Sequence, residues 1–155
     1  MILQTSDGLL DVSGYEKKGV PVYFTDDHLL LEGPTYWIAE VSKIRSKSIR
    51  TLSDYSTILA RYLQWLDDQG YGSLNWQNID RNIIDSYTCH LLISRNSLGK
   101  PRDSTIESYM AKIASFYKWA TKNGYKHYWD MEREIKTCFV DSAMMVLDTV
   151  DVEIN

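Results

Sequence analysis

Cysteine is scarce in this chain of 155 residues: Cys89 and Cys138 are the only two. They have neither the close spacing of metal ligands nor the density of a disulfide framework, so a reducing, intracellular compartment is expected. No apolar run approaches the ~18 residues that a membrane-spanning helix requires. Met1–Leu10 lacks a positive stretch followed by an apolar core, so no secretory leader is expected. There is no glycine-rich phosphate loop and no nucleophile elbow. His28, His90 and His127 are scattered, and only Cys89-His90 puts a histidine beside a cysteine. Neighbours on a helix diverge by about 100°, which makes that pair a poor chelate. Asp26-Asp27 and Asp67-Asp68 read as a loop and a helix end. From these absences we expect no catalytic residue, no metal site, no cofactor and no membrane association.

What the chain does contain is ordinary for a globular protein, with 44% apolar and 25% charged residues. Its length fits one domain with a sizeable core. The most informative feature is a repeat. TLSDYSTILARYLQWLDDQGY (51–71) recurs as TIESYMAKIASFYKWATKNGY (105–125), without a gap, at an offset of 54 residues. Each copy runs Thr, apolar, Tyr, aliphatic, aromatic, Trp and then Gly-Tyr. The spacing predicts two helices of the same length with the same buried face. Leu52, Tyr55, Leu59, Tyr62 and Leu66 form one stripe; Ile106, Tyr109, Ile113, Phe116 and Ala120 form the other. Such aromatics are core residues, so Tyr55, Tyr62, Tyr109 and Phe116 are not assigned a base-stacking role.

Around the repeat the chain divides into residues 1–32, an arm or short strands; 33–126, helical; and 127–155, a short helix and the start of a linker. In the first part Val20, Val22 and Phe24 alternate and Pro21 interrupts, the pattern of a short edge strand. A first helix opens at Gly33-Pro34-Thr35 and buries Trp37, Val41 and Ile44. The first repeat helix has Thr51 and Asp54 as an N-terminal pair, or Ser48 a turn earlier. A third helix is capped by Asp80, with Ile79 and Ile84 placed as a hydrophobic staple and Ile84, Tyr87 and Leu91 buried. The polar loop 94–103 leads to the second repeat helix, where Ser104 and Glu107 suit a capping box. Met131, Ile135, Cys138 and Phe139 suit a fifth helix. Val150, Val152 and Ile154 alternate like a strand without an obvious partner, which hints at a longer parent protein.

Net charge is −4, but it is unevenly placed: residues 1–40 carry −5, 41–50 carry +4, 51–94 carry −3, 95–126 carry +5 and 127–155 carry −5. The positive blocks fall just before the first repeat, and just before and along the second. A helix N-terminus offers unpaired N–H groups and a partial positive charge to a phosphate oxygen. Lys47, Ser48, Arg50 and Thr51 open one repeat, and Lys100, Arg102, Ser104 and Thr105 open the other. Two equivalent basic ends point to nucleic acid. A helical protein-interaction module without nucleic acid is the alternative, and an autonomous enzyme has no residues to build it.

The order Thr51-x3-Tyr55-x3-Leu59-x2-Tyr62-x2-Trp65-Leu66, Trp76-x2-Ile79, Ile84-x2-Tyr87, then Thr105-Ile106-x2-Tyr109-x3-Ile113-x2-Phe116-Tyr117-x-Trp119-Ala120 resembles the core-binding domain of tyrosine recombinases, the phage-type integrases. The likeness covers residues 34–125. It implies an all-α, SAM-like bundle of four to five orthogonally packed helices with a short extended or β N-terminal arm. It also implies that the chemistry resides in a second domain, built on Arg, Lys, His-x-x-Arg, a His or Trp and a Tyr nucleophile. His28-Leu-Leu-Leu, His90-Leu-Leu-Ile and His127-Tyr-Trp-Asp all lack that Arg. The expectation is therefore a recombinase or integrase piece without its catalytic domain, inactive alone.

The resemblance further implies a half-clamp on double-stranded DNA, with the second and fourth helices facing the major groove, and self-association on DNA as a tetramer. Lys43, Arg45, Lys47, Arg50, Lys100, Arg102 and Lys112 are expected at phosphates. Ser48, Thr51, Ser104, Thr105 and Ser108 are expected at phosphates or base edges. Residues 1–32 depart from the simplest members, and their negative charge favours contact with a neighbouring protomer over DNA. The implied setting is cytoplasmic and nucleoid-associated, bacterial or phage-encoded.

Overall fold

The computed structural model describes residues 1–5, 11–12, 15–16, 20–43, 49–94 and 103–129. Within them, β1 (Ile2–Thr5), β2 (Asp11–Val12), β3 (Tyr15–Glu16) and β4 (Pro21–Phe24) precede α1 (Glu32–Ser42), α2 (Ile49–Asp68), a 3₁₀ turn (Ser73–Asn78), α3 (Arg81–Ser94) and α4 (Asp103–Lys122). β1 and β4 form an antiparallel pair running from Ile2↔Phe24 to Thr5↔Pro21, and β2 pairs with β3 over two residues. Pro21 opens its strand, where its missing N–H costs least. The expected all-α domain with a short β arm is what is seen. The expected helix around Met131–Phe139 and the terminal strand lie outside the described residues.

The strand β4 is fastened to the helices by one side chain. Tyr23 is fully buried and donates its hydroxyl to the Ser56 carbonyl of α2 at 2.7 Å. Its backbone N–H is taken by Thr35 Oγ1 in the first turn of α1 at 3.0 Å, and its carbonyl accepts the Leu31 N–H at 2.8 Å. No backbone polar group of this buried residue is left unpaired, which burial demands. Val20, Tyr23 and Leu31 thereby join the same core as the helices.

Two helix starts, those of α1 and α4, differ from the sequence expectation, and α2 takes the earlier of its two expected starts. α1 begins at Glu32 behind an extended Leu31 that has no side-chain cap. Pro34 is thus its third residue, still within the turn whose N–H groups have no intrahelical partner. α2 begins at Ile49 and α4 at Asp103, which moves Thr51 and Ser104 inside the first turn instead of in front of it. Leu31 and its neighbours carry no capping side chain, so nothing in the letters marks that boundary. At α3 the expectation holds: Asp80 Oδ1 accepts the Ile83 N–H at 3.1 Å, and Ile79 and Ile84 are both buried.

The two repeats end identically. Gly70 and Gly124 have φ of +86° and +85°. The Tyr71 N–H bonds the Leu66 carbonyl and the Gly70 N–H that of Asp67; Tyr125 with Ala120 and Gly124 with Thr121 repeat both bonds. This is the paired-bond C-cap in which glycine takes the left-handed position. The shared spacing of Trp and Tyr within the copies completes it. Trp65 packs on Tyr71 at 6.0 Å and Trp119 on Tyr125 at 5.6 Å, the apolar contact that accompanies such a cap.

Between these ends α2 and α4 press their stripes together, with Leu59, Tyr62, Leu66, Ile113, Phe116 and Ala120 essentially inaccessible. Trp37 of α1 lies 5.8 Å from Tyr55 and 5.4 Å from Phe116, and Tyr87 of α3 lies 5.1 Å from Tyr62. Trp76, from the 3₁₀ turn, sits 4.8 Å from Phe116 and covers Gly33, where any Cβ would collide with its ring. Each aromatic pair adds roughly 0.5–1.5 kcal/mol beyond its buried area.

The far end of α2 is tied by Asp67. Its carboxylate accepts the Ser73 N–H at 2.5 Å and the Ser73 hydroxyl at 3.1 Å, and lies 3.0 Å from the Met1 amino group. Partial burial pushes the carboxyl upward, but the Ser73 bonds and the Met1 amine outweigh it and hold Asp67 below its ordinary value of 3.8. For the amine, burial is likewise outweighed by Asp26 and Asp67, which raise it above its ordinary 8.0.

Two outcomes follow. Gly70→Ala and Gly124→Ala should each lower stability by about 1 kcal/mol, because a left-handed backbone penalises a Cβ. The two losses should be equal, since nothing lies within 4 Å of either added carbon. Gly33→Ala should cost more, about 1–3 kcal/mol, by overpacking against Trp76; urea midpoints would rank the three. Secondly, a depressed carboxylate stabilises above its unfolded value and a raised amine stabilises below its own. The Asp67–Met1 contribution should therefore fade as pH falls below 3.8 and again as it rises above 8.0. Thermal melts of the native chain and of Asp67→Asn should converge at both extremes.

Candidate nucleic-acid interface

The first half of α2 and the middle of α4 meet through one lysine. Lys112 donates to Ser108 Oγ, one turn back on its own helix, at 2.7 Å. Its ammonium also lies 5.4 Å from the ring centre of Tyr55 on α2. Three residues earlier on α4, the Tyr109 hydroxyl accepts an N–H of Arg61 at 3.5 Å. With about 1.5 Å of rise per residue, Arg50 and Ser104 both stand within roughly two turns of this junction. Along their own helices Arg50 and Thr51 thus lie within about two turns of Tyr55, and Ser104, Thr105 and Ser108 within about two turns of Lys112. Arg50 and Ser104 are exposed; Thr51, Thr105, Ser108 and Lys112 are half-buried.

Tyr55 and Tyr109 are exceptions to the expected buried stripes. Both are only half-buried, because each turns its ring toward the polar junction, one under Lys112 and one against Arg61. Lys43 stands elsewhere, at the end of α1, where its ammonium is 3.3 Å from Glu40. A pair this exposed contributes little energy but offsets the lysine's charge locally. Arg45, Lys47, Ser48, Lys100 and Arg102 lie outside the described residues.

The outer face of α4 extends the region beyond the candidate residues named from the sequence, to lysines of the same positive block. Ser104, Ser108, Ala111, Ser115, Lys118 and Lys122 follow one another at helical spacings of three and four. All but Ser108 are exposed, and exposed Lys126 follows the helix. The face therefore has small side chains along its length and two lysines at its C-terminal end. Glu107 is the one acid among the described side chains of this helix that reaches solvent. The same periodicity that reveals the buried stripe would have found Lys118 and Lys122 on the opposite side. Negative charge gathers on other elements: Glu32 and Glu40 are exposed on α1, and Asp26 and Asp27 are exposed in the turn before it.

Chemically the described part of the region offers cations and hydroxyls. Burial raises the phenols of Tyr23, Tyr62 and Tyr117 well above the usual range and pushes Tyr87 up to about 12. These four stay protonated and serve as hydrogen-bond donors or packing rings. Among the described residues no group of three His, Cys, Asp or Glu could hold a metal ion, and no helix is long and apolar enough to cross a membrane. The His90 ring lies against Tyr87 and Trp65, and the adjacent Cys89 is exposed.

Scaffold and interface are separable by substitution. Tyr117→Phe should cost about 1–3 kcal/mol, because its buried hydroxyl satisfies the Trp76 carbonyl and the Tyr62 hydroxyl. Tyr109→Phe should cost under about 0.5 kcal/mol, since its partner is solvent-exposed. Chemical denaturation of the two variants would test the contrast.

Residues 35–124 match the family model described as phage integrase, N-terminal SAM-like domain. No curated protein and no solved structure matches the chain.

Proposed function

The chain belongs to the phage integrase N-terminal SAM-like domain family, that of the core-binding domains of tyrosine recombinases, and from that premise we propose that it grips duplex DNA with the starts of α2 and α4 and the outer face of α4. The observation that supports this is the junction at Lys112, where the middle of α4 meets the second turn of α2 beside a face of small residues ending in lysines. Small side chains let a helix approach a groove closely, and flanking cations meet the phosphates that line it.

Arg50, Lys112, Lys118 and Lys122 are assigned to phosphates. Ser104, Thr105 and Ser108 are assigned to phosphates or base edges, with backbone N–H groups of the first helical turns adding further donors. Arg45, Lys47, Ser48, Thr51, Lys100 and Arg102 are retained in the same role on their positions in the sequence, and Lys43 as a peripheral contact. The bond-breaking residues would reside in a second domain, and the domain would act as one half of a clamp. Self-association on DNA and a cytoplasmic, nucleoid-associated setting belong to the same proposal. Residues 1–32 would contact a neighbouring protomer.

Titration of a labelled duplex provides the test. With about four phosphates neutralised, affinity should fall roughly a hundredfold between about 50 and 200 mM salt. Replacing Lys112, Lys118 and Lys122 together by Ala should weaken binding and reduce the salt slope by about one for each lysine removed. Arg81→Ala, which removes a cation already paired with Asp85 on α3, should leave both unchanged. Equal losses in the triple variant and in Arg81→Ala would reduce the interaction to bulk charge and sink the assignment.

A further inference from the structure

Past α4 the chain folds back over the core in five residues. Tyr125 packs on Trp119 and on Trp76, at 5.6 and 5.5 Å. The Lys126 carbonyl accepts a hydrogen bond from the Gln77 amide at 3.1 Å. The His127 ring stands edge-on to Tyr117 at 5.0 Å. Trp129, 5% exposed, meets the same Tyr117 ring at 5.5 Å and 82°.

The hydrogen bonds of His127 fix its protonation state. Nδ1 lies 3.2 Å from the Trp129 backbone nitrogen, which can only donate, so Nδ1 must be the acceptor. The ring proton is therefore on Nε2, which faces the Tyr117 carbonyl at 3.1 Å and Thr121 Oγ1 at 2.8 Å. Thr121 spends its own hydroxyl proton on the Tyr117 carbonyl, leaving its oxygen free to accept. A second proton on the imidazole would set two donors, Nδ1–H and the Trp129 N–H, against each other.

We propose that His127 is a proton-operated latch: neutral, it pins Trp129 onto α4, and doubly protonated, it releases Trp129 and loosens the exit of the chain from that helix. This latch is independent of DNA binding. Its balance is set finely because the buried Trp129 indole N–H has no acceptor among the described residues. That unpaired donor opposes docking, which leaves the Nδ1 bond to decide the outcome.

The surroundings allow the titration to act. From α4 the ionisable group touching the ring is Tyr117, which burial keeps neutral; Lys118 and Lys122 stand at exposed positions. The 3₁₀ turn presents Trp76 and Gln77, neither of which ionises. On the segment itself Lys126 is exposed and Tyr125, raised by burial, is neutral. No acid steadies the imidazolium among these groups; Asp130 lies outside the described residues. Burial accordingly holds His127 below its ordinary 6.5, partly offset by the Tyr117 carbonyl. A histidine depressed in the folded state gives stability that is present above its unfolded value and lost as pH falls below it. Tyr117 keeps its bonds to Tyr62 and Trp76 throughout, so the latch opens on a folded domain.

Amide hydrogen exchange of the whole chain, followed by NMR from about pH 7.5 to 5.5, tests this. After correction for intrinsic rates, protection at the Trp129 amide should drop roughly tenfold, with the midpoint of the His127 ring titration. Ile113, at the centre of α4, should stay protected. His127→Phe, which keeps the ring on Tyr117, should abolish the pH response, while Asp130→Asn should preserve it. The proposal is overturned by unchanged protection at Trp129, by a midpoint different from that of His127, by parallel loss at Ile113, or by a response that survives in His127→Phe. If His127→Phe does not fold, the comparison of midpoints in the native chain decides.

Discussion

The hydroxyl of Tyr117 is the constraint on which the arrangement turns. It is fully buried and donates to the Trp76 carbonyl, so the Tyr62 hydroxyl must donate to it across the α2–α4 contact. A buried polar group is tolerated only when satisfied, and this pair can be satisfied in one relative placement of the two helices and the 3₁₀ turn. Apolar stripes alone would allow α2 and α4 to slide by a turn at modest cost; the phenol pair does not. The ring of Tyr117 then receives His127 and Trp129, and Tyr62 receives Tyr87 of α3. Five segments, namely α2, the 3₁₀ turn, α3, α4 and the stretch that follows α4, are thus registered on two phenols.

The repeat explains why the two helices are alike at their ends and differ in the middle. Each copy encodes the same glycine-tyrosine cap and the same buried aliphatic positions, and both are realised almost identically. At the contact, however, the two paired hydroxyls come from positions that are not equivalent in the repeat. Tyr62 corresponds to Phe116 in the repeat, yet its partner is Tyr117, whose own counterpart is Leu63. The second copy has moved its hydroxyl by one residue, which rotates it by about 100° around the helix toward the 3₁₀ turn.

That difference also marks what could be read in advance. Helix periods, the Asp80 cap and the ends at Gly70 and Gly124 are local, and the letters around each carry them. Tyr23 reaching Ser56, Asp67 holding Ser73 together with Met1, and Lys112 lying over Tyr55 join residues distant in sequence or set by helix crossing. No local pattern specifies them. The site was legible in part for the same reason. Basic residues near the helix starts stood out as charge runs, whereas Lys118 and Lys122 are spaced along a helix and become a face only once its buried side is known.

Charge on this fold acts by location and not by total. A net of −4 would repel a polyanion at long range, but at physiological salt fields fade over about 8 Å. At that scale a phosphate approaching α4 meets Lys112, Lys118, Lys122 and Lys126, and Glu107 is the exposed acid among the described side chains of that helix. The acids of α1 and the Asp26-Asp27 turn present the opposite sign on different elements. Such a division disfavours approach through α1 and leaves the α4 side as the favourable one. The negative sum is then no objection to the proposed grip on DNA: in that proposal it supplies orientation, and the lysines and hydroxyls around the Tyr55–Lys112 junction supply the contact.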